Sequence, residues 1–286
     1  MVLAARPIMR IRRGFVPAQQ IWRGPKRPFS VDVSVAEPAP MNPLLQQLDS
    51  GQRAQLDAYL DILLEWNQNM NLTGPCTREE ALQRHVVDSL ALLPIIEAHA
   101  PLSPPSSGPL TLMDVGSGAG FPGLVLAIAR PTWRVTLLDS LAKRTRFLGA
   151  AAEAAGAAGV RVVCANAEAA GRDPALRDAF QVVTARAVAE MRVLAELCLP
   201  FLAPGGVWVA AKGPAPEGEV AAAGPALELL GAQLIGVEDV ACAGQQGRRT
   251  ALTVRKLGPT PTGYPRAVGR PAKRPLGGYI KKPKAG

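Results

Sequence analysis

The sequence predicts an α/β fold, a mostly parallel sheet that ends in an antiparallel hairpin and is preceded by a small helical unit. Three observations carry this prediction. Short apolar runs alternate with helix formers from residue 110 to residue 257. A glycine-rich turn at 116–123 separates the first of those runs from a helical stretch. Before it, residues 50–99 repeat their apolar positions at helical rather than strand spacing.

The chain opens with a segment set apart from this fold. Residues 1–31 hold seven Lys/Arg (Arg6, Arg10, Arg12, Arg13, Arg23, Lys26, Arg27) and no acid. That balance over the first 40 residues fits an organellar presequence without fixed structure better than a secretory signal, which needs a continuous apolar region. Ser30 and Ser34 are its only serines, so composition does not separate plastid from mitochondrion. The alternatives are a bacterial N-terminal arm or a start at Met41, which would put the protein in a bacterial cytoplasm.

The helical unit is expected over 41–105. Leu56, Tyr59, Leu60, Leu63 and Leu64 recur at three and four residues, and Ala81, His85, Leu90 and Leu93 continue the pattern on a second segment. Asn67, Asn69, Asn71 and Gly74-Pro75 punctuate the turn between them. Asn67 and Asn71 order that turn or cap the next helix, and Trp66 and Leu72 read as packing residues. The Pro/Ser/Gly stretch at 101–109 leads into the α/β domain, expected over 106–257.

Within that domain, strands are predicted at 110–115, 134–139, 160–164, 181–185 and 207–211. Helices are predicted at 141–158 and 188–199, and 202–206 reads as a turn. The runs at 233–240 and 250–257, joined by a polar loop, form the terminal hairpin and add an antiparallel edge. Residues 258–286 carry seven more Lys/Arg (Arg266, Arg270, Lys273, Arg274, Lys281, Lys282, Lys284) and no acid. This Pro/Gly/Lys-rich tail is predicted to be disordered alone and suits phosphate contact on a large RNA.

Overall, 32 Lys/Arg face 23 Asp/Glu for a formal charge of +9, and the excess lies in the two ends, with a net acidic middle. A polyanionic partner, a targeting leader, or one of each follows. Cys76, Cys164, Cys198 and Cys242 lie far apart, and His85 and His99 are the only histidines. That excludes a zinc site by spacing and a disulfide framework, and points to a reducing compartment. No apolar run reaches the length of a membrane span, so a soluble protein is expected. A monomer without a metal is expected too.

The motif that carries chemistry is Asp114-x-Gly116-x-Gly118-x-Gly120-Phe121-Pro122-Gly123, a strand end running through a glycine loop into a helix. Gly118-x-Gly120-x-x-Gly123 also satisfies the dinucleotide fingerprint, and Asp139 lies near its ribose-binding acid. Asp114 weighs against that reading, because a carboxylate beside the loop repels a pyrophosphate but welcomes the ammonium and sulfonium of S-adenosylmethionine. Asp139 would then bind the two ribose hydroxyls, cap the following helix, or both.

Trp66-Asn-Gln-Asn-Met-Asn-Leu-Thr73, Arg84-His85-Val-Val-Asp88-Ser89, the glycine loop, Leu138-Asp-Ser-Leu-Ala-Lys143-Arg144, Ala185-Arg186-Ala187 and Ala211-Lys212-Gly213 occur in that order. Together they resemble the small-subunit (16S-type) ribosomal RNA guanine-N7 methyltransferase family, also known as glucose-inhibited division protein B, over residues 50–257. The resemblance implies a Rossmann-like S-adenosylmethionine-dependent methyltransferase fold acting on ribosomal RNA or the ribosomal subunit. It further implies cofactor contacts at Gly116 and Phe121, adenine-side contacts at Ala167 and Glu168, and a binding contact at Arg186. Ala167 offers only main chain and a methyl group, and Glu168 has an exposed loop acid as its ordinary reading.

Guanine N7 carries a lone pair and no proton, so its methylation needs no general base. His85, Arg144 and Lys212 are then candidates for RNA or base contact. Each has a plain alternative: a packed histidine, a solvated helix face, and a lysine reaching solvent from a strand end. The competing functions are a methyltransferase acting on a protein or small molecule, an NAD-type oxidoreductase, and a non-catalytic RNA-binding protein.

Overall fold

The computed structural model describes residues 42–101, 108–186, 189–213, 216–240 and 249–278. The leader at 1–40, most of the connection at 101–109 and the last eight residues of the tail lie outside them. The described residues form one compact unit, in which the helical segment shares a core with the sheet.

The helical segment begins with α1 (Pro43–Gln46) and α2 (Ser50–Met70). Asp49 and Gln52 cap α2 reciprocally, and the Gln52 amide also donates to the Ile128 and Ala129 carbonyls. Asn71 ends α2 at φ 47°. The turn that follows is held by Asn67, whose side chain accepts from Leu72 and Thr73 N–H and donates to the Gly74 carbonyl. A second run consists of α3 (Arg78–Ala81), a π-turn over Leu82–Val86 and α4 (Val87–Leu90); α5 (Leu93–His99) completes the segment.

Seven strands follow: β1 (Thr111–Val115), β2 (Arg134–Asp139), β3 (Val160–Cys164), β4 (Phe180–Arg186), β5 (Leu202–Lys212), β6 (Ala232–Val240) and β7 (Arg249–Lys256). The sheet order is β3-β2-β1-β4-β5-β7-β6; β1 to β5 run parallel, and β7 pairs antiparallel with both β5 and β6. Between strands lie α6 (Gly123–Ala129), α7 (Ala142–Ala154), α8 (Ala167–Ala170), α9 (Met191–Cys198) and α10 (Glu217–Leu229). Alternate strand residues enter opposite cores: Leu112, Leu137 and Val209 face α2 and α6, whereas Met113, Leu138 and Trp208 face α9 and α10. The chain leaves β1 toward β2 and later returns on its other side at β4, so the switch point falls at the carboxyl ends of β1 and β4.

The structure differs from the sequence reading in four places. Residues 202–206 open β5 instead of forming a turn, because Leu202 pairs with Phe180 while Gly205 absorbs a φ of 85°. The helix expected at 141–158 ends at Ala154, and Gly156 takes a φ of 59° after it. Helix α10 was not predicted, since its Gly and Pro225 mask its periodicity. Finally, the described part of the tail packs onto the domain and ends in α11 (Arg270–Lys273).

That tail is held by polar contacts invisible to composition. Arg172 donates to the Gly263 and Pro265 carbonyls, and Arg177 to those of Thr260 and Tyr264. Arg266 grips the fully buried Glu196 through its Nε and Nη2. Lys256, also fully buried, donates to the Leu199 carbonyl and the Thr260 hydroxyl, and burial lowers its pKa to about 8. Among the described residues no helix is long and apolar enough to cross a membrane.

Candidate active site

The site is built from β1 outward. Gly116, Gly118 and Gly120 follow the strand with φ of 74°, 59° and 97°, conformations that L side chains rarely adopt. A Cβ on Gly118 would meet nothing closer than the Gly116 carbonyl at 3.8 Å, so this face of the loop is open to a ligand. A Cβ on Gly123 would instead collide with Asp114 at 2.7 Å and Leu137 at 2.5 Å. Here α6 starts against the strand that feeds it.

Asp114 lies beneath the loop, 1% exposed. One carboxylate oxygen accepts the Gly123 N–H at 3.1 Å, and the other accepts the Thr184 hydroxyl at 3.1 Å. Burial raises its pKa to about 6 against these hydrogen bonds. Asp139 closes β2 in a similar way: its oxygens accept from Gly118 N–H at 3.0 Å and Leu141 N–H at 2.9 Å. Asp139 thus joins the loop to the start of α7.

These bonds bear on the choice of ligand. The N–H groups of Gly116 and Ser117 donate to the Leu138 carbonyl, that of Gly120 to Ser117, that of Gly118 to Asp139 and that of Gly123 to Asp114. Five donors that would cradle a pyrophosphate are directed into the protein, and Pro122 has none. The loop surroundings are rich in acceptors, since each Asp139 oxygen keeps acceptor capacity beyond the bond it makes. This suits a sulfonium, an ammonium and a ribose diol better than a pyrophosphate.

Phe121 connects the loop to a second feature. Its ring packs 5.4 Å from Tyr59 and 4.9 Å from His85, and the Arg186 guanidinium lies 5.1 Å above it. Tyr59 in turn donates to the Ala119 carbonyl, so α2 of the helical segment braces the glycine loop. Arg186, at the end of β4, also donates to His85 Nδ1 at 3.3 Å. A guanidinium has no acceptor, so Nδ1 accepts and a neutral His85 carries its proton on Nε2. Burial, then Arg186 and Arg84, lower the His85 pKa to about 4, which keeps the ring neutral at pH 7.

His85 and Arg186 line a cavity of about 240 Å³ together with Arg84, Asp88, Lys212 and Arg249. It opens at the carboxyl ends of β4 and β5. Lys212 is not a lysine reaching solvent: its ammonium donates to the Ala189 carbonyl at 2.8 Å and to Glu219 at 2.6 Å. The π-turn places Arg84 and His85 together on this wall. Arg144 stands apart on α7, 3.7 Å from Asp139. Ala167 and Glu168 begin α8 beyond β3, where Glu168 accepts the Gly269 N–H of the tail at 2.9 Å.

The structure therefore joins Asp114, Gly116, Gly118, Gly120, Phe121 and Asp139 around one loop, and His85, Arg186 and Lys212 around one cavity. Asp88, Arg249 and Tyr59 went unassigned in the sequence reading. The spacing of Arg84, His85 and Asp88 along one helical run was a usable signal, whereas nothing local announces Arg249. Among the described residues, no group of three or more His, Cys, Asp or Glu is placed to hold a metal ion.

A parallel sheet with this switch point, a glycine loop after β1 and an acid closing β2 define a Rossmann-like methyltransferase that takes S-adenosylmethionine as its cofactor. The chain belongs to the GidB family, described as rRNA small subunit methyltransferase G, whose model matches residues 52–248. It is 43% identical over 229 residues to the Ribosomal RNA small subunit methyltransferase G of Chloroflexus aggregans, covering 80% of this chain and 92% of that one. It is 44% identical over 223 residues to the protein of the same name from Symbiobacterium thermophilum, covering 76% and 87%. A solved 16S rRNA (adenine(1408)-N(1))-methyltransferase W203A mutant from Catenulisporales acidiphilia is 21% identical, with a TM-score of 0.46 over 55% of this chain and 89% of that one.

Proposed function

We propose that this protein transfers the methyl group of S-adenosylmethionine to N7 of a guanine in small-subunit ribosomal RNA. The observation that carries this reading is the junction at Phe121, whose ring touches His85 and Arg186 of the cation-lined cavity while its backbone belongs to the glycine loop. The relatives named above supply the substrate class. When bound, the cofactor supplies an electrophilic methyl group on a sulfonium.

The residues at hand hold and orient. Asp139 would accept from the ribose hydroxyls, the main chain at Gly116 and Ala167 together with Glu168 would bound the nucleoside, and Asp114 fixes the loop from below. On the substrate side the cavity cations receive a phosphate-rich strand, and the His85 Nε2–H offers a neutral donor to the base. N7 has no proton to lose, so the rate rests on aligning its lone pair with the methyl group and on excluding water. A neutral His85 fits that chemistry, in which no base is required.

The test is transfer of tritiated methyl from S-adenosylmethionine to small-subunit ribosomal RNA, with Asp139→Ala as control. Label released as 7-methylguanosine, and a fall of about a hundredfold in the variant's kcat/KM for cofactor, is the expected result. Label in a different nucleoside, or none despite cofactor binding, would overturn the assignment of the acceptor.

A further inference from the structure

The tail segment that follows β7 converges on one short element, α8. Arg172, just past the end of α8, donates to the Gly263 and Pro265 carbonyls at 3.0 and 2.8 Å. Arg177 donates to the carbonyls of Gly171 and Tyr264, both at 2.9 Å, and so ties the end of α8 to the same segment. A Cβ on Gly171 would come within 3.1 Å of the buried Pro265, which leaves no room for a side chain between them. At the other end of α8, Glu168 accepts the Gly269 N–H at 2.9 Å. Gly269 presents that hydrogen from a φ of 77°, at the start of α11.

A helix of four residues does not hold its own position, because nucleation is unfavourable and so few intrahelical bonds follow it. Asn166, ahead of α8, makes no side-chain cap. Ala167 and Tyr264 pack against one hydrophobic core, so α8 and the tail segment also share their apolar support. The placement of α8 therefore follows that of residues 260–272.

That placement bears on the nucleoside. Asp139 is in register with Cys164, and the Ala165 N–H donates to the Asp139 carbonyl at 3.1 Å, so the turn into α8 starts at the backbone of the ribose-side acid. With Asp139 on the ribose, the attached base extends over the carboxyl end of β3, where Ala167 and Glu168 begin α8. Adenine brings an amine donor on its outer edge. The Glu168 carboxylate has acceptor capacity beyond the one bond from Gly269.

We propose that residues 260–272 are a working part of the cofactor site: Gly269 fixes the Glu168 carboxylate, and Arg172 fixes α8, in the position that receives the adenine of S-adenosylmethionine. This inference rests on the reading of Ala167 and Glu168 as the boundary of the nucleoside, and it adds Gly269 and Arg172 as positioning residues. Docking of the tail segment and binding of the cofactor then favour one another by the same factor.

The test uses the full-length protein without RNA. Hydrogen exchange of the wild type, followed by mass spectrometry, should slow about fivefold or more over residues 260–272 at saturating S-adenosylmethionine. Exchange over β6, at the far edge of the sheet, should not change, which separates a local response from a general rise in stability. Calorimetry should show Arg172→Ala binding the cofactor about fivefold more weakly than the wild type. Glu168→Ala should also bind more weakly, and adding Arg172→Ala to it should cost less than about twofold more, because the tail segment acts through Glu168.

Exchange over 260–272 that is indifferent to cofactor, or that slows only as much as β6, would overturn the proposal, and this result needs no variant to fold. Wild-type affinity in Arg172→Ala or in Glu168→Ala, or a double variant whose loss is the product of the two single losses, would overturn it as well. The identity of the methylated nucleoside does not enter these measurements. Failure of the guanine-N7 reading is seen only in the transfer assay above, so the two failures are distinct.

Discussion

Asp114 shows what the site demands of a single residue. Its carboxyl pKa is raised to about 6 by burial, so the native state takes up this proton before the unfolded chain does. Native stability from this group therefore increases as pH falls from about 6 toward 3.8, and above pH 6 the protein holds the charge at a cost of about 3 kcal/mol. His85 contributes with the opposite sign, because its folded pKa of about 4 lies below the ordinary 6.5 and stability is lost as pH falls through that window. Since His85 is unchanged in an Asp114 variant, its effect cancels in the difference. Asp114→Asn should raise the unfolding free energy at pH 8 by about 1–2 kcal/mol, the weaker acceptor offsetting part of the gain, and weaken cofactor binding. Near pH 4 the stability gain should vanish. Urea unfolding at both pH values measures this, and equal differences at the two would show that Asp114 is not the charge being held.

At the scale of elements, the segment after β7 behaves as a strap. It crosses the domain from Lys256 to α11 and ties its own backbone to Arg172, Arg177 and Glu168. Its firmest point is Arg266 on the fully buried Glu196. Removing the cation alone leaves a buried carboxylate without its charge partner, so Arg266→Ala should destabilise by about 3 kcal/mol, at the low end for a buried pair because Arg266 remains 20% exposed. Adding Glu196→Gln to that variant should recover part of the loss, and a double-mutant cycle by chemical denaturation reads the coupling. None of this was legible in the sequence, where Pro, Gly and Lys suggested disorder. The contacts join residues 70 to 101 positions apart and leave no local period to read. By contrast β2 and β3 were read at their observed bounds, since each is written as an apolar run only a few positions long. The same contrast divides the site. The loop glycines, Asp114 and Phe121 share one short stretch, whereas Arg249 meets Asp88 only through the antiparallel edge of the sheet.

For the whole molecule, charge placement sets how RNA is met. Although the middle of the sequence is net acidic, Arg84, Arg186, Lys212 and Arg249 line the cavity beyond β4 and β5. Lys281, Lys282 and Lys284 follow the last residue of the described strap. Deleting residues 279–286 should reduce the slope of log K against log salt for ribosomal RNA by about two, while cofactor affinity and melting temperature stay unchanged. An unchanged slope would place those lysines outside the RNA contact.

The inward-facing donors of the glycine loop have a consequence for life in a crowded cell. Nucleotides and dinucleotides are abundant there, and many proteins with a related sheet welcome them at the same strand end. Here the Leu138 and Ser117 carbonyls and the Asp114 and Asp139 carboxylates accept five of the loop hydrogens that a phosphate would seek, and the two charges oppose it. Competition by ATP or NAD for the S-adenosylmethionine site is therefore expected to be weak, which displacement of labelled cofactor by each nucleotide measures.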